Sequence, residues 1–158
     1  LIRRFYKKEL TEGDFKGLFE ALSVVHGERM VHGHPHLGNA FRLGRKIGLF
    51  DFSLLAPKEV NWGRPRSILN AFSLDYEQVL GVFTRFCCNN EESWKKFSSG
   101  RVDDIISPLT RHLPITQAVR EQLVRELKAV LYYKVAQSLH EQGYFKYKKR
   151  VFKPPAVL

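Results

Sequence analysis

Seven apolar residues, Val119, Leu123, Leu127, Val130, Leu131, Val135 and Leu139, recur mostly at every third or fourth position between Thr116 and Gly143. At the helical repeat they share one stripe of an α-helix of about 25 residues. Glu121 and Arg125 stand four apart in the order that supports a helix, and Gly143 is a natural C-terminal cap. Such a stripe is stable only when other elements cover it, so the chain is expected to be a helical bundle built around this segment.

The rest of the chain supplies the partners. Thr11-Glu12-Gly13-Asp14 has the form of a capping box with Asp in place of the usual Glu. Phe15, Leu18, Phe19, Leu22 and Val25 then follow a helical rhythm that stops near Gly27. Residues 27–36, rich in Gly and His, read as a loop, and residues 37–47 as a second helix weakened by Gly38, Gly44 and Gly48. Between 51 and 63, Asp51 or Ser53 is placed to cap a short turn before Pro57, and Trp62 to pack. Arg64-Pro65-Arg66-Ser67 looks like a helix start, leading to Ile68, Leu69 and Phe72. Asp75 is expected to cap a core helix carrying Val79, Leu80, Val82, Phe83 and Phe86, ended by Asn89 and Asn90. A short helix is expected over 91–97, and a short piece over 102–107 precedes Pro108. Strand signals are confined to residues 1–6 and 144–152, which could pair with each other or form a wing. The expected fold is therefore all-α or mostly α: one compact domain over 1–158 with about five to six helices, which a small terminal β-hairpin or wing could complement.

Composition bounds the class. A hydrophobic fraction of 44% and 20 aromatic residues in 158 support a real core and argue against disorder. The start at Leu1 suggests a piece excised or processed from a longer chain. The two cysteines, Cys87 and Cys88, are adjacent and give no disulfide framework; they read as small apolar residues on a helix, consistent with a reducing, intracellular compartment, the nucleus if the source is eukaryotic. No apolar run approaches the ~20 residues that span a bilayer, so no membrane insertion is expected, and no apolar segment behind the basic start suggests a signal peptide.

The net charge of +10 is concentrated at the ends. Arg3, Arg4, Lys7 and Lys8 in residues 1–8, and Lys146, Lys148, Lys149, Arg150 and Lys153 in residues 143–158, are accompanied by no acid. The 134 residues between carry 17 basic against 16 acidic side chains. Within them, Arg29, Arg42, Arg45, Lys46, Lys58, Arg64 and Arg66 face only Asp51 and Glu59 over residues 29–66. Concentrated positive charge attracts polyanions through counterion release and steering.

Residues 144–153, with Tyr144, Phe145 and Tyr147 among the cations, combine groups that neutralise phosphate with rings that stack on bases. Following a long helix, this tail resembles the wing of a winged-helix module in arrangement; its plainer reading is a solvated end whose rings pack inward. Gly63-Arg64-Pro65-Arg66 resembles the Gly-Arg-Pro centre of an AT-hook, which implies minor-groove contact. Trp62 stands where that motif has an Arg, and a turn feeding a helix is the plainer reading. His26, His32, His34 and His36 invite a metal site, but no Cys lies nearby and the spacing is not that of a structural zinc site, so a flexible loop with adventitious metal affinity is expected. Asp103-Asp104 and Glu91-Glu92 are adjacent pairs that do not face each other on a helix and read as helix-start charges. No catalytic fingerprint occurs; the enzymatic alternatives are a nuclease-like activity or a Cys87 or Cys88 thiol nucleophile.

The sequence thus points to a non-enzymatic nucleic-acid-binding domain, for DNA or RNA, gripping the phosphate backbone with limited sequence preference. The expected contacts are Arg3, Arg4, Lys7, Lys8, Arg42, Arg45, Lys46, Arg64, Arg66, Tyr144, Lys146, Tyr147, Lys148, Lys149, Arg150 and Lys153. No cofactor and no metal is expected. The alternatives are a protein-interaction module docking an acidic or apolar partner in a larger complex, and an enzyme with an unrecognised site.

Overall fold

The computed structural model describes residue 1 and residues 9–53, 58–89, 95, 97, 99 and 101–141. Helix α1 (Glu12–Gly27) begins at the capping box: Thr11 Oγ1 accepts from the Asp14 N–H at 3.3 Å, and Asp14 Oδ2 accepts from the Thr11 N–H at 2.9 Å. Two donors that a helix start leaves unpaired are thereby satisfied. The chain then passes through the 28–36 loop and a 3₁₀ turn (Leu37–Asn39) into a hairpin of β1 (Ala40–Leu43) and β2 (Lys46–Leu49). Helix α2 (Pro65–Ala71) starts with Pro65 in its first turn, a position that needs no backbone N–H. Helices α3 (Ser73–Asn89), α4 (Asp103–Ile106) and α5 (Gln117–Glu141) follow, with a second 3₁₀ turn (Ser107–Thr110) between the last two. The molecule is a mostly helical domain with five α-helices and one two-stranded antiparallel sheet among the described residues.

The core forms where α1, α3 and α5 meet. Phe15 lies 5.1 Å from Phe83 and 4.8 Å from Phe86, and Phe19 meets Phe83 edge-on at 5.7 Å. From α5, Leu123, Leu127, Leu131 and Val135 are fully buried, as the stripe predicts. Each such side chain contributes about 1.5–3 kcal/mol through burial. Helix α5 has 25 residues and packs on α3 and α2. Asp103 and Asp104 occupy the first turn of α4, where negative charge suits the helix dipole, and Lys128 of α5 reaches Asp103 at 2.7 Å.

Residues 37–47 do not form the expected helix. Leu43 and Lys46 pair across a two-residue turn, Gly44-Arg45, in which Gly44 takes a φ of +60° that costs other residues a Cβ clash. The hairpin thus lies inside the chain rather than at its ends; the expected terminal strand segments fall outside the described residues apart from Leu1. The expected helix over 91–97 is also outside them, save Lys95 and Phe97.

Candidate functional site

The register of the hairpin assigns its two faces. Ala40 pairs with Leu49, Phe41 with Gly48, Arg42 with Ile47 and Leu43 with Lys46. Since side chains alternate along a strand, Ala40, Arg42, Ile47 and Leu49 share one face, and Phe41, Leu43, Lys46 and Gly48 the other. The first face is turned inward onto α1. Ile47 sits against Gly17, where a Cβ would come within 2.6 Å of its Cγ1, and Arg42 reaches Asp14 at 2.9 Å. An isolated two-stranded hairpin is marginal in water, so this packing holds it in place.

The second face is open. Phe41 is 44% exposed, Leu43 75% and the following Phe50 45%, with the Phe41 and Phe50 rings 6.1 Å apart. Lys46 belongs to the same face, and Arg45 occupies the turn beside it; both are exposed. The hairpin contains no carboxylate. Elsewhere in the body three cations are paired: Arg111 with Glu20 at 2.9 Å, Lys128 with Asp103 at 2.7 Å and Lys134 with Glu77 at 3.2 Å. Arg45 and Lys46 make no ion pair with any described residue.

The loop that leads into the hairpin is fixed from below by a buried carboxylate. Asp75, in the first turn of α3, is fully buried; its Oδ2 accepts from His26 Nε2 at 2.8 Å and the His32 N–H at 2.7 Å, and its Oδ1 accepts from the Gly33 N–H at 2.8 Å. Gln78 adds a bond to the Gly33 carbonyl at 2.7 Å. Burial by itself would raise the Asp75 carboxyl, but the His26 bond and charge, with the two backbone donors, hold it below its ordinary value. His26 is stacked on Phe72 at 4.1 Å; burial pushes its pKa down against the pull of Asp75. His32, also pushed down by burial, lies against Phe52, with its Nδ1 accepting from the His34 N–H at 3.3 Å. Its ring points into the fold, under Phe52.

Several expectations change on this geometry. Asp75 is not a cap: its carboxylate leaves its own helix and ties the 32–33 loop to α1. The His loop is not a loose tether, because His26 and His32 are buried and held; among the described residues no three His, Cys, Asp or Glu side chains gather to hold a metal. Gly63-Arg64-Pro65-Arg66 is the start of α2, with Arg64 as N-cap and Pro65 buried, so the plainer reading holds. Burial pushes the Cys87 thiol up, the opposite of an activated nucleophile, and raises Cys88 as well. On α5 the only large apolar side chain strongly exposed among the described residues is Tyr133, so the long helix presents no contiguous docking patch.

Of the expected contact residues, Arg45 and Lys46 stand together at the hairpin tip, while Arg42 is committed to Asp14 and, through Nε, to the Gly44 carbonyl at 2.9 Å. Arg64 and Arg66 are exposed on α2, an element that packs on α5, whereas the hairpin packs on α1. Arg3, Arg4, Lys7, Lys8, Tyr144, Lys146, Tyr147, Lys148, Lys149, Arg150 and Lys153 lie outside the described residues. The Leu1 nitrogen donates to the Ala40 carbonyl at 2.8 Å, and Thr11, the N-cap of α1, shares Asp14 with Arg42. The outward rings Phe41 and Phe50 were not legible as site residues, because only the strand register reveals which face they occupy. No helix among the described residues is long and apolar enough to cross a membrane. Comparison with known proteins finds no matching family model, no similar curated protein and no similar solved structure.

Proposed function

We propose that this domain binds nucleic acid without catalysing a reaction on it, gripping the phosphate backbone through the hairpin tip and the basic terminal segments. The observation that carries this reading is the pair of adjacent exposed cations at the hairpin tip. Arg111, Lys128 and Lys134 are neutralised by carboxylates of the body, whereas Arg45 and Lys46 project from a hairpin that holds no acid. Unpaired cations on a rigid projection release phosphate counterions at little ordering cost, which favours a polyanion over water. Backbone contacts of this kind carry no sequence information, so affinity comes with limited preference among sequences. Two free cysteines suit a reducing, intracellular compartment, the nucleus in a eukaryote.

The test is the salt dependence of binding to labelled duplex and single-stranded oligonucleotides by fluorescence anisotropy. Replacing Arg45 and Lys46 together by Ala is expected to weaken binding and to lower the slope of log K against log salt by up to about two. An affinity that does not respond to salt, or a double variant that binds as the parent does, ends the proposal.

A further inference from the structure

The outer face of the hairpin carries more than charge. The ring of Phe41 lies over the backbone of Gly48, directly across the strand pair: a Cβ at Gly48 would come within 2.7 Å of Phe41 Cε1 and 3.1 Å of Cε2. Any other residue at 48 would lift the ring off the sheet. The missing side chain lets Phe41 stay close against the strand while remaining 44% exposed, and Phe50, 45% exposed, stands beside it with ring centroids 6.1 Å apart. Burial does not account for either ring. Lys46 lies on the same face two positions along the strand from Gly48, with Arg45 in the turn beside it; the strands and turn hold no carboxylate, and the exposed Asp51 follows Phe50 at the other end.

We propose that this face, with Phe41 laid over Gly48, Phe50 beside it and Lys46 and Arg45 at its edge, is a stacking platform for the bases of single-stranded nucleic acid. The inference rests on the nucleic-acid reading above and narrows it. A base has a flat π-face that an aromatic ring covers whatever its identity, and the phosphates on either side of it need cations a few ångströms away. In a duplex those π-faces are already stacked on their neighbours and only base edges reach the grooves, so rings held close to a sheet gain nothing from double-stranded ligand. An apolar protein partner would also use the two rings and Leu43, and the leucine variants separate it from a base, because apolar burial survives Phe→Leu and ring stacking does not.

The experiment uses the full chain with labelled oligouridylate, oligothymidylate and a duplex, each of ~15 nucleotides. The parent is expected to bind the single strands more tightly than the duplex. Phe41→Leu and Phe50→Leu keep apolar bulk but lose the π-face, and each is expected to lower single-strand affinity by roughly tenfold while leaving duplex affinity unchanged. Phe41→Trp restores a ring and is expected to retain binding. Gly48→Val, which displaces the Phe41 ring, should resemble Phe41→Leu, and an unchanged thermal transition in the leucine variants shows that the fold is intact. Equal, salt-sensitive binding of duplex and single strand, unmoved by the leucine variants, overturns the platform and leaves phosphate binding standing. Tight capture of an apolar peptide that the leucine variants retain overturns it too. Absence of salt-dependent binding to all three ligands removes the parent reading together with the platform.

Discussion

Asp75 receives three donors, and the three come from two places that nothing nearby in the sequence joins to it: His26, 49 residues upstream, and the backbone of residues 32 and 33. A buried carboxylate persists only when its lone pairs are filled, and here the filling is also what closes the loop onto α1 and α3. Asp75→Ala would strand the His26 donor and two backbone N–H groups in the core, and is expected to cost about 3 kcal/mol or more in urea unfolding. A loss below ~1 kcal/mol would show that the loop is held by other contacts. The same cluster sets a pH dependence. His26 and His32 titrate below their ordinary value of 6.5 because burial disfavours the imidazolium. As pH falls from 6.5 the unfolded chain takes up protons that the folded chain refuses, so stability declines from there downward. Asp75, held below its ordinary 3.8, adds a further decline below that pH. A series of melting temperatures across pH is expected to show both steps, with Asp75→Ala keeping the first and losing its share of the second.

Among the elements, the two whose partners lie within a few residues of them follow their local signals. Thr11 and Asp14 start α1 where the capping pattern puts them, and Pro65 starts α2. The hairpin does not, because residues 37–47 carry apolar residues at spacings compatible with either period, and Gly44 and Gly48 weigh against a helix without specifying a strand. What decides is the pairing of Phe41 with Gly48 and the seat of Ile47 on Gly17. That seat yields a prediction against the usual rule. Gly→Ala inside a helix normally stabilises by up to about 1 kcal/mol. At Gly17 the new methyl would meet Ile47 at 2.6 Å, so Gly17→Ala is expected to lower the melting temperature and to shift the amide resonances of residues 46–49. A stabilised variant with unmoved hairpin signals would show that the contact is slack.

Over the whole molecule, charge is segregated rather than spread. Residues 9–142 carry 17 basic against 16 acidic side chains, and the two ends of the chain carry nine basic residues and no acid. If the ends contribute to phosphate binding, replacing Lys148, Lys149 and Arg150 together by Ala will weaken duplex and single strand alike and reduce the salt slope by up to about three. A slope equal to that of the parent would confine the binding surface to the hairpin.

The fold class, the 25-residue closing helix, the capped start of α1 and the position of the surplus charge along the chain are all legible in the residues, because each depends on neighbours a turn or two apart. Only the tertiary structure decided that the strands lie at 40–49, which side of them faces water, and that Asp75 joins His26 to the loop. Those outcomes depend on contacts between residues 30 and more positions apart or on a two-residue register, and no local periodicity encodes either.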